Sequence, residues 1–400
     1  MRLGWVDFSR EDRERTLDVM NLLQEQGAVD EIGIGQVRDA FANIFFPGTS
    51  TIQTIAKYFL IVPYVLKEAT EGRYGSDPDE ILRRIDEEER DCAVRLIQNC
   101  PGEDGIIGKR VLPDRWVARK PSNIYWNGIR AYGICRQNLT MPELLRESAA
   151  LRSQRRSASL GNRGDDDPDS ERDDLDAGGG TAMQFFSVPD DYYSDWRGNL
   201  SVLLTRSEAA FLRGAIETAA GASLMGYLLK NNIDLSRYDS FEAIYEDLDG
   251  AVPEELGKTM KLACDFNRLV YAARVRYNHI FSDGRNEAAV EEWAYVEENM
   301  ARMTSVDIDD VLDTLQISNF RLRRFLTSFR AALLRGDLDA ADRAVIDREV
   351  EIKTRSRAKL CKRGGYTDGV WIGGRYLDYR FFSAKRIITD IYRAEEADHV

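Results

Sequence analysis

The spacing of apolar positions along this chain is helical almost throughout. Residues 253–281 read "PEELGKTMKLACDFNRLVYAARVRYNHIF", with apolar side chains at Leu256, Met260, Ala263, Phe266, Val270 and Ala273. Returns at three- and four-residue steps put these on one face of a long helix entered at Pro253. "LTRSEAAFLRGAI" places Thr205 three residues before Glu208, the spacing in which each side chain caps the other's backbone N–H. "EAAVEEWAYVEENMARM", "DIDDVLDTLQI" and "NFRLRRFLTSFRAALLRG" continue the period, and a last helix is expected over 383–394. In the first half, Ser9 with Asp12 opens a helix ended by Gly27, and "GIGQVRDAFANIFF" forms a second. Strand signals are few. "LGWVDF" reads as a short strand, and the glycine pairs and aromatics of "GGYTDGVWIGGRYLDYRFF" read as a turn or hairpin.

One stretch poses a choice between chemistry and structure. "FFPGTSTIQTIAKYFLIVPYVL", residues 45–66, runs from a Pro-Gly turn through hydroxyl residues into an apolar run. A phosphate loop needs several glycines and a lysine entering a helix, and here there is one glycine, Gly48, with no adjacent lysine. Thr49, Ser50 and Thr51 read instead as N-caps of a buried helix, which Pro63 is expected to kink or end. An anion site at that helix start is the lesser reading. A recognition helix for DNA would offer polar and basic side chains, and this one offers hydrocarbon.

Composition adds a boundary. Residues 153–182, "SQRRSASLGNRGDDDPDSERDDLDAGGGTA", hold almost no apolar side chains, and eight carboxylates fall within 165–176. Such a segment buries too little surface to offset its ordering entropy. The fold expected is therefore mainly α. A helical domain at 1–150 and a second at 183–400 are joined by a disordered acidic linker at 151–182, with a few short strands or a hairpin near each end. The linker carries much of the net charge of −13, so both halves are less acidic than the whole. Five cysteines without CxxC spacing argue against a disulfide framework or a structural zinc. The charged start and the short apolar run at 59–66 predict neither a signal peptide nor a membrane span, so a soluble cytoplasmic protein is expected.

Two segments carry candidate chemistry. Residues 106–138 hold seven Lys/Arg against Asp114 alone, with Trp116, Tyr125, Trp126 and Tyr132 interleaved. Residues 351–386 hold ten Lys/Arg against Glu351, Asp368 and Asp378, with Tyr366, Trp371, Tyr376, Tyr379, Phe381 and Phe382 among them. Cations bind backbone phosphates, and aromatic faces stack on unpaired bases. Arg110, Arg115, Arg119, Lys120, Arg130, Lys362, Arg363, Arg375 and Arg380 are the expected phosphate contacts, and Trp126 and Trp371 the expected stackers. The competing reading makes the aromatics core and the arginines solvated.

Enzymatic signals are thin. The tripeptide "EIK" at 351–353, with Asp339 or Asp347 upstream, would match the Mg²⁺-binding core of a restriction-type nuclease if it lay on a strand, but the flanking "DAADRAVIDREVEIK" reads as helix. His279 and His399 are the only histidines, which leaves little from which to build a histidine metal cluster or a Ser-His-Asp triad, and His279 reads as structural rather than as a general base. Neither a catalytic residue, nor a metal ligand, nor a cofactor is assigned.

The blocks "LGWVDFS", "GIGQVRDAFANIFFPGTSTIQT", "YFLIVPY", "KPSNIYWNGIRAYGI", "LTRSEAAFL" and "RAKL…LDYRFFSAKRIITDI" resemble those of a prokaryotic family known only as a domain of unknown function. The resemblance spans both halves and skips the acidic segment. It implies a setting among anti-phage defence genes, near helicases and phospholipase-D-like nucleases, and it carries over no catalytic residues. The function expected first is a non-enzymatic accessory component of a DNA-targeting defence system that touches DNA or RNA and partners helicase- or nuclease-type proteins. A structural protein-interaction adaptor comes second and an Mg²⁺-dependent nuclease third.

Overall fold

The computed structural model describes residues 30–74, 77–161 (backbone only from 155), 185–193, 195–362, 365–367 and 369–397. They are mainly helical, and among them the only β pairing is a single bridge between Cys135 and Phe186. The expected strand at 3–8 and the helix from Ser9 to Gln26 lie outside the described residues. Two compact units form, each discontinuous in sequence. The described part of the first is 30–40 with 258–377, and that of the second is 41–257 with 378–397. Both draw on residues from either side of 151–182.

In chain order the helices are α1 (Gly35–Phe45), α2 (Tyr58–Glu71), α3 (Pro78–Asn99), α4 (Pro121–Ala131) and α5 (Met141–Gly161). There follow α6 (Arg206–Ala220), α7 (Leu224–Lys230), α8 (Phe241–Leu248), α9 (Glu254–Ser282) and α10 (Glu287–Glu298). The last are α11 (Met300–Met303), α12 (Ile308–Thr314), α13 (Phe320–Leu334), α14 (Leu338–Lys353) and α15 (Phe381–Glu396). α5 runs to Gly161, ten residues past the expected domain edge at 151, so the first part of the expected linker is helix.

The second unit is built around α2, which is apolar on every side and buried from Tyr58 to Leu66. α3, α4 and α5 pack on it, and Phe59 meets Tyr125 edge-to-face at a ring distance of 5.0 Å and Tyr132 at a tilt at 5.2 Å. α6 begins at the expected capping box: the Glu208 N–H donates to Thr205 Oγ1, and the Thr205 N–H donates to Glu208 Oε2. α6 also packs on α15, where Arg213 forks onto Glu395 at 2.7 and 2.6 Å.

Two corrections concern α2. It starts at Tyr58, not at the hydroxyl cluster, and Pro63 sits inside it without ending it. Donors of the preceding turns go to local and tertiary acceptors rather than capping α2. Thr49 Oγ1 donates to the Phe46 carbonyl at 2.6 Å, and the Ser50 N–H donates to Gln53 Oε1 at 3.1 Å. The Thr54 and Ile55 N–H groups donate to the Tyr125 hydroxyl at 2.8 and 3.2 Å, and the Ala56 N–H to Asp390 at 2.8 Å. Since those N–H groups already have acceptors, the anion-site reading loses its donors.

The first unit is organised on α9, whose Met260, Ala263, Phe266, Val270 and Ala273 are all buried as the period requires. α13 and α14 form a helical hairpin turned at Gly336, whose φ of 66° suits glycine. Residues 30–34 are fastened to α14 by charge. Arg348 donates to the carbonyls of Ile32 and Gly33 at 2.9 Å each. Glu31, itself buried, accepts from Lys359 at 2.8 Å and pairs with Lys353. Glu349 is fully buried and accepts from Tyr277, Lys353 and the Lys359 and Leu360 N–H groups at 2.7 to 3.1 Å. Buried charges persist only when paired and hydrogen-bonded in this way.

Candidate nucleic-acid interface

The segment expected to be a hairpin has no strand among its described residues, 365–367 and 369–377, and is instead a loop bonded to α9 and to the start of α10. Asparagine side chains take the place of a partner strand. Asn267 accepts the Leu377 N–H at 2.7 Å and donates to the Leu377 carbonyl at 3.1 Å. Asn278 does the same for Ile372 at 2.6 and 3.0 Å. Asn286 donates to the Val370 carbonyl at 3.1 Å while its Oδ1 caps α10 at the Ala289 N–H. A side-chain amide presents donor and acceptor side by side, as a peptide group does, so each pairing satisfies the loop backbone without a strand. Eleven residues separate Asn267 from Asn278, three helical turns, which puts both on one stripe of α9.

This loop presents aromatics and arginines together. The Arg375 guanidinium carbon lies over the Trp371 ring at 4.8 Å, and its Nη2 pairs with Glu292 at 3.0 Å. The same carboxylate accepts from the Tyr271 hydroxyl at 3.0 Å. Tyr271 in turn stacks on Tyr376 with ring centroids 4.0 Å apart and planes 7° apart. Burial, with Tyr376 and Glu292 beside it, pushes the Tyr271 phenol far above its ordinary pKa, so it stays a neutral donor. Arg285 lies over Tyr366 at 5.2 Å, and Arg274 donates to the Arg375 carbonyl at 2.8 Å. In the preceding loop of the same unit Arg355, Arg357 and Lys362 are exposed, whereas Lys359 turns in to Glu31.

The expected site residues thus fall into separate groups. Lys362, Trp371 and Arg375 belong to the first unit, and Arg363 lies outside the described residues. Arg380 belongs to the second unit and is buried. It donates to Asn43 Oδ1 at 2.7 Å and to the Thr49 carbonyl at 2.9 Å, so it holds the chain rather than facing a phosphate. Arg110, Arg115, Arg119, Lys120, Trp126 and Arg130 are also in the second unit. Arg110 and Arg115 are exposed and Arg119 is half-buried. Lys120 pairs with Asp86 at 2.8 Å, and Asp86 also accepts from Trp116 Nε1 at 2.8 Å. Trp126 is half-buried on the edge of Phe186, Arg130 is half-buried one turn on, and Tyr125 and Tyr132 are core. In this first segment Tyr125 and Tyr132 therefore follow the core reading, whereas Trp116 and Trp126 are half-buried.

The nuclease-type reading of "EIK" fails on geometry. The tripeptide is the last turn of α14, not a strand. Glu351 pairs with Arg348 at 3.0 Å and Arg324 at 2.8 Å, and Lys353 faces Glu349. Among the described residues no three His, Cys, Asp or Glu side chains are arranged to hold a metal. His279 ends α9, and burial together with the Arg276 cation holds its imidazole below the ordinary value. Also among the described residues, no helix is long and apolar enough to cross a membrane.

A family model described as "Family of unknown function (DUF6361)" matches residues 1–144. The match includes α1 to α4 and stops short of the loop at 365–377. No curated protein and no solved structure matches the chain.

Proposed function

We propose that this protein is a non-enzymatic, nucleic-acid-associated accessory component that engages DNA or RNA through the 354–376 stretch of its first unit. The observation that carries the reading is Arg375 held over Trp371 beside Tyr376, on a loop fixed by asparagines, in the unit that also exposes Arg355, Arg357 and Lys362. Cations supply the sequence-independent attraction to phosphate, and flat side chains supply contact to bases. Arg110 and Arg115 on the second unit offer further exposed cations. The setting in a prokaryotic anti-phage system, and helicase- or nuclease-type partners, come from the family resemblance alone.

The test is fluorescence anisotropy of labelled single-stranded DNA, duplex DNA and RNA with purified protein at low salt. Saturable binding that weakens on charge reversal at Arg357 and Lys362 supports the reading, and absence of binding to all three rejects it. The adaptor reading has its own support in the Arg375–Glu292 and Lys120–Asp86 pairs, which balance two of the expected phosphate-binding cations within the fold. Copurification with another protein in the absence of nucleic-acid affinity would select it.

A further inference from the structure

Among the cations of the 354–376 stretch, Arg375 is set apart by its partners. Its charge is already balanced by Glu292 at 3.0 Å, yet its side chain is 55% exposed. It lies over the Trp371 ring, so one side of the guanidinium is backed by an indole. Glu292 is itself held by the Tyr271 hydroxyl, and the Arg375 carbonyl by Arg274, so both ends of the residue are fixed. The neighbouring Asn278 pairs lock the backbone at Ile372. Glu292 meets this charge through Nη2, which weakens the pull of the guanidinium on a phosphate. The guanidinium offers instead a flat surface of fixed orientation.

We infer that Arg375, held over Trp371 by Glu292, is the stacking surface for an unpaired base, and that the site therefore selects single-stranded nucleic acid. This deepens the proposed function and rests on it. It also moves the stacking role from Trp371, whose ring Arg375 covers, to Arg375 itself. Guanidinium planes stack on splayed bases as aromatic rings do. In a duplex both faces of every internal base are covered by neighbours, so the surface has nothing to take there. The phosphates of the same strand would fall to Arg355, Arg357 and Lys362.

The experiment compares a labelled thymidine oligonucleotide with an abasic strand of the same length, using the full-length protein and its Arg375→Lys variant. Lysine keeps the charge but removes the plane. The expected result is that the intact strand binds wild type about 10-fold more tightly than the abasic strand, the scale of one stacked base. In Arg375→Lys that preference disappears. Equal affinity of wild type for the two strands, or a preference that survives Arg375→Lys, overturns the inference and leaves nucleic-acid binding standing. If wild type binds neither strand, and no duplex added as a third probe, the proposed function fails and the inference with it.

Discussion

The Glu89 carboxylate accepts the Ser122 N–H at 2.6 Å and the Ser122 hydroxyl at 3.2 Å. Glu89 is on α3 and Ser122 in the first turn of α4, so a side chain from one helix caps the next. The N-cap position of α4 is Lys120, and Pro121 follows it. Neither supplies the oxygen acceptor that Ser, Asp or Thr would. Burial pushes the Glu89 carboxyl up to about 8, only partly offset by the Ser122 bonds.

A pH dependence follows from that shift. With its folded pKa above the unfolded one, the native state holds the Glu89 proton more tightly than the unfolded chain does. The stabilisation is complete below the ordinary carboxylate range and is lost as pH rises toward 8. Urea midpoints measured from pH 5 to 9 are expected to fall in wild type and to flatten over that window in Glu89→Gln, which keeps an acceptor oxygen. Glu89→Ala leaves the Ser122 N–H unpaired, at a cost of about 1–3 kcal/mol.

Gly128 reverses a general rule. In an exposed helix interior Gly→Ala stabilises by roughly 0.5–1 kcal/mol. Here a Cβ would run into the Gly48 carbonyl and stand 2.6 Å from the Phe59 ring. Gly128→Ala is therefore expected to destabilise by about 1–3 kcal/mol, as overpacked cores do, with the loss read as a lower thermal midpoint.

Asn278→Ala separates geometry from charge. It removes both hydrogen bonds to Ile372 and changes no charge. Hydrogen exchange in peptides covering 366–377 is expected to quicken, and single-strand affinity to drop several-fold, while helical circular dichroism stays at the wild-type level. Unchanged exchange would show that the loop is held by other contacts.

Much of the helical frame was legible because local signals agreed with packing. Thr205 and Glu208 cap α6 as their spacing implies, and the apolar stripe of α9 is buried where the period puts it. The start of α2 was not legible, because the donors ahead of it are taken by Tyr125 and Asp390, far away in sequence. The hairpin expectation failed for a related reason. The glycines and aromatics of 364–382 signal turns correctly, but the hydrogen bonds of the loop go to Asn267, Asn278 and Asn286 rather than to a strand. The eleven-residue spacing of the first two was the available sign. At the candidate site Trp371 and Arg375 were visible as an aromatic and a cation in a basic segment. Their pairing with each other and with Glu292 is a tertiary fact that composition does not carry. The inward turn of Arg380 is another, since sequence does not distinguish a buried guanidinium from a solvated one.

The most direct measurement is the salt dependence of single-stranded DNA affinity for wild type and for the Arg357→Glu, Lys362→Glu double variant. Each phosphate contact contributes about −0.7 to the slope of log K against log salt on a single strand. Nucleic-acid binding through the 354–376 stretch predicts a steep slope in wild type that is shallower by about 1.4 in the double variant. A slope near zero in wild type, or the same slope in both proteins, would contradict it.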